Sequence, residues 1–584
     1  MPDAILGRMT RHSRLPRPRR LVAAAIVVPL LFAACGSANP SGAPATSGSP
    51  GIGASPSSAP PAAPSCPPSR GPAADRPWWA DRIFYEVFVR SFADSDDDGV
   101  GDLRGLIERL DYLNDGDPAT DDDLGVTGLW LMPIADAASY HGYDVVDYRT
   151  IEPDYGTADD FRELMAQAHE RGIAIIVDLV LNHTSRDHPW FQDALTPGSA
   201  HDDWYLWEET RPPVAKSDGS RVWHEADGRF YYGYFWEGMP DLDLENPEVT
   251  AELDDIGRFW IDEMGVDGFR LDAARHLIED GDELENTPAT LDWLADWRER
   301  LKADRPDVLV LGEVYDSSSM TARYVREGSL DLTFEFGLAS ATITSLNSRD
   351  AGSIAAAHRE IADAYPPDTV ATFLTNHDQN RVAAQLGGDL EAQKLAATLL
   401  LSGAGVPFIY YGEEIGMSGR KPDERIRAPM RWDASEPGAG FSVAEPWQPL
   451  GDDPPGADVA TQDADPDSLL ETYRSLVHLR AAHPALLSGA IVPIDASDRH
   501  VVAYLRSDGD RAVLVVANLG TEPVTAPKLA LESGPLCGAP GVDVLAGPAD
   551  ATAPRVTAEG GFDAYVPIAH LGPREALIVA LDGE

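Results

Sequence analysis

Between residues 83 and 411 the chain alternates short apolar runs with segments of helical periodicity. The runs are IFYEVFV (83–89), GVTGLWLM (125–132), IAIIVDLVL (173–181), VDGFRLD (266–272), VLVLGE (308–313), LDLTFEF (330–336), TVATFLT (369–375) and VPFIYY (406–411). Each is rich in β-branched or aromatic residues and nearly continuously apolar, as parallel strands covered on both faces are. Between them apolar positions recur every three to four residues. TADDFRELMAQAHERG (157–172), for example, ends on Gly172, a residue type that stops a helix. Eight strands alternating with helices predict an α/β fold, a closed (β/α)8 TIM barrel, with chemistry at the C-terminal strand ends. An open doubly wound sheet is the alternative, but no GxGxxG turn follows the first strand.

Two departures from this rhythm divide the chain further. After the third strand comes an aromatic-rich stretch, HPWFQDALTPGSAHDDWYLW through FYYGYFWEGMP, far longer than a βα loop of about 2–6 residues. It predicts a small inserted domain over 184–240, within a barrel spanning 76–183 and 241–485. Most of Trp190, Trp204, Trp207, Trp223, Tyr231, Tyr232 and Trp236 are expected in its core, with one or two left to face a bound ligand. From 486 to 584, HVVAYLRS (500–507) and RAVLVVANL (511–519) alternate with period two, predicting an antiparallel β-sandwich.

The N-terminus carries a different signal. Six arginines lie within residues 1–20, followed by fourteen apolar residues, Leu21–Ala34. At 1.5 Å per residue that run covers about 21 Å, too short for a bilayer core of about 30 Å, so residues 1–34 read as an export signal. Phe32-Ala33-Ala34-Cys35 resembles a bacterial lipobox, with phenylalanine where leucine is usual. This implies a cell-surface lipoprotein anchored through Cys35, or a secreted protein without the lipid. Residues 36–75, rich in Ser, Ala, Pro and Gly, read as a flexible tether. Cys66 and Cys537 are the other two cysteines, either one bridge or two free thiols.

Over all 584 residues, hydrophobic positions make up 43%, enough for a sizeable core, and 96 acidic against 46 basic residues give a formal charge of −50. A field of that sign repels nucleic acid and anionic lipid, and leaves neutral or cationic ligands. The candidate chemistry stands at strand ends: Asp178, Asn182 and His183 after the third strand, Arg270 and Asp272 on the fourth, Glu313 on the fifth, and Asn376, His377 and Asp378 after the seventh. Arg270 and Asp272 are two apart and share a face. Charges gathered at a barrel mouth are unfavourable unless paired or solvated, so the set points to function. After the first strand, Asp94-Ser-Asp-Asp-Asp-Gly-Val-Gly-Asp102 places acids at alternate positions with a glycine sixth, suiting a hard cation with oxygen ligands.

DLVLNH (178–183), GFRLDAARH (268–276), LGEVYD (311–316) and FLTNHD (373–378) resemble the four diagnostic segments of the α-amylase family of glycoside hydrolases. FYEVFVRSF, SYHGYDVVDY (139–148) and MPDLDLENP (239–247) are similar to three further family segments. The resemblance implies a retaining mechanism with three catalytic carboxylates: Asp272 as nucleophile, kept ionised by Arg270, Glu313 as acid and base, and Asp378 holding the sugar's 2- and 3-hydroxyls and favouring ring distortion. It places Tyr143, His141, His183, Arg270, His276, His377 and Arg427 against substrate. The acidic loop is similar to the calcium loop of oligo-1,6-glucosidase and neopullulanase relatives, implying Ca2+ held by Asp94, Asp96, Asp98, the Val100 carbonyl and Asp102. Tyr140, standing where exo-acting relatives carry Asp, resembles endo-acting α-amylases, whereas IRAPMRWD (426–433) resembles the oligoglucosidases. That mixture is similar to intermediary α-amylases, and implies hydrolysis of α-1,4-glucan or maltooligosaccharides; a monomer is the default expectation. A glucanotransferase, a neopullulanase or cyclomaltodextrinase, or an α-glucosidase of the same family, and a sugar-binding lipoprotein without catalysis, are the alternatives.

Overall fold

The structure is a computed structural model that describes residues 76–509 and 511–581. The expected signal, Cys35, the tether and Cys66 lie outside the described residues. Cys537 is buried and disulfide-bonded.

Eight parallel strands close into a barrel: β1 (Phe84–Val87), β2 (Gly128–Leu131), β3 (Ala174–Leu179), β4 (Gly268–Leu271), β5 (Leu309–Gly312), β6 (Leu332–Phe334), β7 (Val370–Thr372) and β8 (Val406–Tyr410). Each pairs with its sequence neighbours, and β1 closes on β8 through Phe84 opposite Phe408. The helix expected over 157–172 forms as α1 (Ala158–Glu170). Thr157 and Asp160 make a reciprocal capping box at its start, and Gly172 takes φ +75° just past its end.

Period-two alternation along the strands explains where the polar residues go. Phe84, Trp130, Ile176, Leu309, Leu311, Phe334, Ala371 and Phe408 fill the barrel interior. Two positions further along the same inward row come Glu86 after Phe84, Asp178 after Ile176 and Glu313 after Leu311. The apolar plug therefore supports a ring of charged side chains at the C-terminal mouth.

The insertion holds a three-stranded antiparallel sheet of Trp207–Glu208, Arg229–Tyr232 and Trp223–Ala226. Its aromatics pack mainly on one another, as in the 4.8 Å contact of Trp190 with Trp204 and the burial of Tyr231. Phe235 and Trp236 stay exposed.

The C-terminal region forms a seven-stranded sheet of β9 (Ala490–Ala496), β10 (Val501–Asp508), β11 (Arg511–Asn518), β12 (Leu529–Leu531), β13 (Asp543–Ala546), β14 (Phe562–Tyr565) and β15 (Ala576–Ala580), in the order β13-β15-β11-β10-β9-β12-β14 and antiparallel throughout. Val501, Ala503 and Leu505 face a core shared with a short ribbon, Val524–Thr525 with His570–Leu571. Val502 and Tyr504 on the opposite face join the barrel's core, where the Tyr504 hydroxyl meets Ser402 Oγ at 2.8 Å.

Candidate active site

Arg270, fully buried at the end of β4, is the hub of the mouth. Its Nη1 donates to Asp178 Oδ1 at 2.8 Å and Asp272 Oδ1 at 2.9 Å. Its Nη2 stands 2.8 Å from Glu313 Oε2 without hydrogen-bond alignment. The strand register explains the convergence. β4 and β5 pair Gly312 with Leu271, so Asp272 and Glu313 leave adjacent strands at one level, and Asp178 is paired directly with Arg270 across β3. Trp130 lies beneath, 5.2 Å from the guanidinium, and donates Nε1–H to Asp178.

One cation thus serves three carboxylates. Burial pushes the Asp178 carboxyl up to about 7 and raises Asp272 and Glu313 as well, while Arg270 pulls each back down. This modifies the expectation that Arg270 keeps Asp272 ionised. The guanidinium is shared, and for Asp272 burial outweighs it.

A second group adjoins the first. The Tyr143 hydroxyl donates to Asp178 Oδ2 at 3.1 Å and lies 2.7 Å from His377 Nε2, with the two rings stacked 5.5 Å apart. His377 Nδ1 meets Glu86 Oε1 at 2.5 Å. Burial opposes the His377 charge, but Asp378 and Glu86 hold its pKa up to about 9. Asp378 is gripped by Arg427 Nη2 at 2.8 Å, and Arg427 Nε donates to the His377 carbonyl at 3.0 Å. Burial alone would raise Asp378, yet His377 and Arg427 hold it well below the usual carboxylate range.

These values set a pH dependence. A histidine raised in the folded state stabilises it fully below its unfolded pKa of about 6.5, and that stability is lost as pH rises through about 9. Glu86→Gln removes one of the two anions. The alkaline limb of activity should then move down by about 1–3 pH units, read from kcat/KM profiles. An unmoved limb would remove Glu86 from this role.

Residues 86–489 match the description "Alpha amylase, catalytic domain". The chain belongs to the α-amylase family. Its relatives include Alpha-amylase 3 of Dictyoglomus thermophilum, 42% identical over 452 residues, covering 76% of this chain and 86% of that protein. Trehalose synthase of Thermus thermophilus is 34% identical over 502 residues, covering 76% of this chain and 50% of that protein. Among solved structures, the α-amylase from H. orenii superposes with a TM-score of 0.71 at 39% identity, covering 86% of this chain and all of that one. As a member of the α-amylase family, the protein is an enzyme of the glycoside hydrolase and transglycosylase group.

The other residues picked out for this family's chemistry lie at varying distances from the hub. His141 accepts from the Tyr143 amide at 3.1 Å, and burial lowers its pKa. Buried His183 meets the Tyr143 carbonyl at 3.2 Å and is lowered by burial to about 4, so its ring is neutral. His276 is not drawn to the carboxylates. It stacks on Tyr234 at 3.9 Å and bonds the Leu284 carbonyl at 3.1 Å. Glu86 was missed by motif reading, although it is the single charge within IFYEVFV, two residues after inward Phe84.

In the acidic loop, one carboxylate oxygen each from Asp94, Asp96 and Asp102 lie within 4.8 Å of one another. Asp94 also accepts the Asp96, Asp97 and Gly99 amides, which folds the loop around its carboxylate. Asp98 stands outside this group and accepts the Val100 amide at 2.8 Å. The Asp96 carboxyl is raised, first by Asp98, with burial and the charges of Asp102 and Asp94 adding to it. That uncompensated negative charge and an all-oxygen donor set fit a hard divalent cation.

Proposed function

We propose that this enzyme is a retaining, endo-acting hydrolase of α-1,4-glucosidic bonds in starch, glycogen and maltooligosaccharides. The observation that carries this reading is the single guanidinium of Arg270 set against both Asp272 and Glu313. Carboxyl groups on the two terminal nitrogens of one arginine are close neighbours. That favours the retaining arrangement, with a separation of about 5–5.5 Å, over the inverting one of about 6.5–9.5 Å.

The protonation states follow from hydrogen-bond supply. Asp178 accepts from Arg270, Tyr143 and Trp130, and Asp272 from Arg270, so both charges are supported. Among the described residues, Glu313 accepts the Ala273 amide alone, at 3.3 Å, besides its unaligned approach to Arg270. With net charge −2 if all three ionise, the cluster retains a proton, and the reaction needs it on Glu313, the carboxyl least supplied with donors, when substrate binds. Glu313 gives this proton to the leaving glycosidic oxygen as Asp272 forms a bond to the anomeric carbon. The resulting carboxylate then takes a proton from water, which displaces Asp272 and restores the α-anomer. Asp378 and imidazolium His377 hold the sugar hydroxyls, the Tyr143 ring lies beneath the sugar, and Arg427, His141 and His183 complete the pocket.

Exposed rings favour a second reading. Phe235 and Trp236 stand on the insertion, and Tyr315 follows Glu313 by two residues. Phe235 packs on His183 and His276, and Arg275 lies over Tyr315. Such exposed rings suit a sugar acceptor, and so glucan transfer. A product time course on maltoheptaose, resolving chain length and anomer, tests both. Short α-anomeric products appearing together support hydrolysis, early longer chains support transfer, and an unchanged substrate would sink the catalytic reading.

The loop geometry, with its convergent carboxylate oxygens, supports Ca2+ at Asp94, Asp96 and Asp102 as a structural ion. Chelation should lower the thermal midpoint of the parent more than that of Asp96→Asn. Equal losses would remove the ion from this loop. We further propose a monomer, exported and held at the cell surface by a diacylglyceryl group on Cys35, which mass spectrometry of membrane-fraction protein would detect. A mature chain starting elsewhere would refute the anchor.

A further inference from the structure

The sugar clamp of Asp378 and Arg427 is built against a residue that no catalytic motif contains. Trp447 lies in the irregular segment between the short helices Asp423–Ile426 and Val459–Asp463, after β8. Its indole Nε1 donates to Ser91 Oγ at 3.0 Å, and Ser91 Oγ donates in turn to the Arg427 carbonyl at 2.6 Å. Ser91, fully buried, also accepts the Met430 amide at 2.8 Å on its own carbonyl. The main chain carrying Arg427 is thereby pinned at two points, while its guanidinium reaches the His377 carbonyl and Asp378. The Trp447 ring packs on Tyr140 at 5.2 Å and Phe88 at 6.0 Å, and Arg427 lies 6.0 Å from the Tyr140 ring.

The same residue fastens the acidic loop. Trp447 N donates to the Gly99 carbonyl at 2.7 Å. Gly99 has φ +94°, and a Cβ there would stand 2.3 Å from the Glu445 carbonyl oxygen, so the two segments meet backbone to backbone. A single side chain and its own amide thus join the 94–102 loop, the Tyr140 wall and the Arg427 backbone.

We propose that Trp447 is a positioning residue for substrate binding, acting through Ser91 on the Arg427–Asp378 clamp. The proposal rests on the reading of Asp378 as a sugar-binding group. It predicts an effect mainly on KM, because Trp447 and Ser91 make no hydrogen bond or ion pair with Arg270, Asp272 or Glu313. Hydrogen-bonded partners in one chain also lose their effects together, not independently.

The test is a double-mutant cycle on maltoheptaose hydrolysis. Trp447→Phe keeps a ring against Tyr140 but deletes the indole donor, and Ser91→Ala deletes the relay. Each should raise KM about 3–10-fold with kcat within about twofold, and the double variant should be no worse than the worse single. Multiplying effects, an unchanged KM in both singles, or a loss confined to kcat would each overturn the proposal. Should Trp447→Phe fail to fold, Ser91→Ala alone still decides it through the split between KM and kcat. A parent protein that leaves maltoheptaose untouched would instead bring down the functional reading, and this proposal with it.

Discussion

Glu313→Gln should lower turnover of maltoheptaose by about 10²–10⁴-fold while substrate binding survives. Glutamine keeps the size and the hydrogen-bonding reach of the side chain but has no proton to give the leaving oxygen. Its amide remains beside Arg270 and the Ala273 amide, so the mouth keeps its shape. The discriminating measurement is paired: single-turnover kinetics for chemistry, and calorimetric titration with maltoheptaose for binding. Weak binding together with weak turnover would mean that the site had collapsed. Near-normal turnover would remove Glu313 from acid–base duty. A substrate with a leaving group that needs no protonation should recover much of the first step, leaving the hydrolysis of the intermediate slow.

Arg270→Met is the second large effect, and it acts on the fold as well as on the chemistry. Methionine fills similar space but takes from Asp178, Asp272 and Glu313 the guanidinium they share, leaving His377 as the cation that still acts on them. Removing one partner of a buried ion pair is destabilising by about 3–5 kcal/mol. The sign with pH follows from the carboxylates. All three are already raised by burial, and without Arg270 they rise further. A carboxyl raised in the folded state stabilises it below its unfolded pKa of about 4, and loses that stability as pH climbs through the folded value. The variant's deficit should therefore be largest above pH 7 and shrink toward pH 5, read as the difference in thermal midpoint from the parent. An equal deficit at both pH values would mean that packing, not charge, is what Arg270 supplies. Activity should vanish at either pH, since Asp272 then lacks the guanidinium that supports its charge.

The chain's one-dimensional pattern determined a great deal. Eight apolar runs separated by helical spacing specify a barrel because each strand is buried on both faces and each helix on one, requirements readable over a few residues. The polar residues at strand ends were legible for the same reason. Alternation with period two sends Asp178, Arg270, Asp272 and Glu313 to one mouth whatever the loops do. The acidic loop was legible as a spacing, though not which acids would converge, because Asp98 turns to cap the Val100 amide while Asp102 joins Asp94 and Asp96.

What local pattern leaves open is how charges are shared. Arg270 beside Asp272 reads from the sequence as a private pair, whereas the closed barrel brings Asp178 and Glu313 to the same guanidinium from adjacent strands. Glu86 looks like a lone acid in a strand until closure of β1 on β8 sets it against His377, 291 residues away. Trp447 lies in an irregular loop with no periodicity to mark it, and its place depends on contacts with residues 91 and 99, far back along the chain. The sequence by itself determined the elements and the face each side chain takes, because those depend on neighbours a few residues apart. Only the tertiary structure decided which charges neutralise one another and which remain protonated, because burial and Coulomb interaction depend on distance in space.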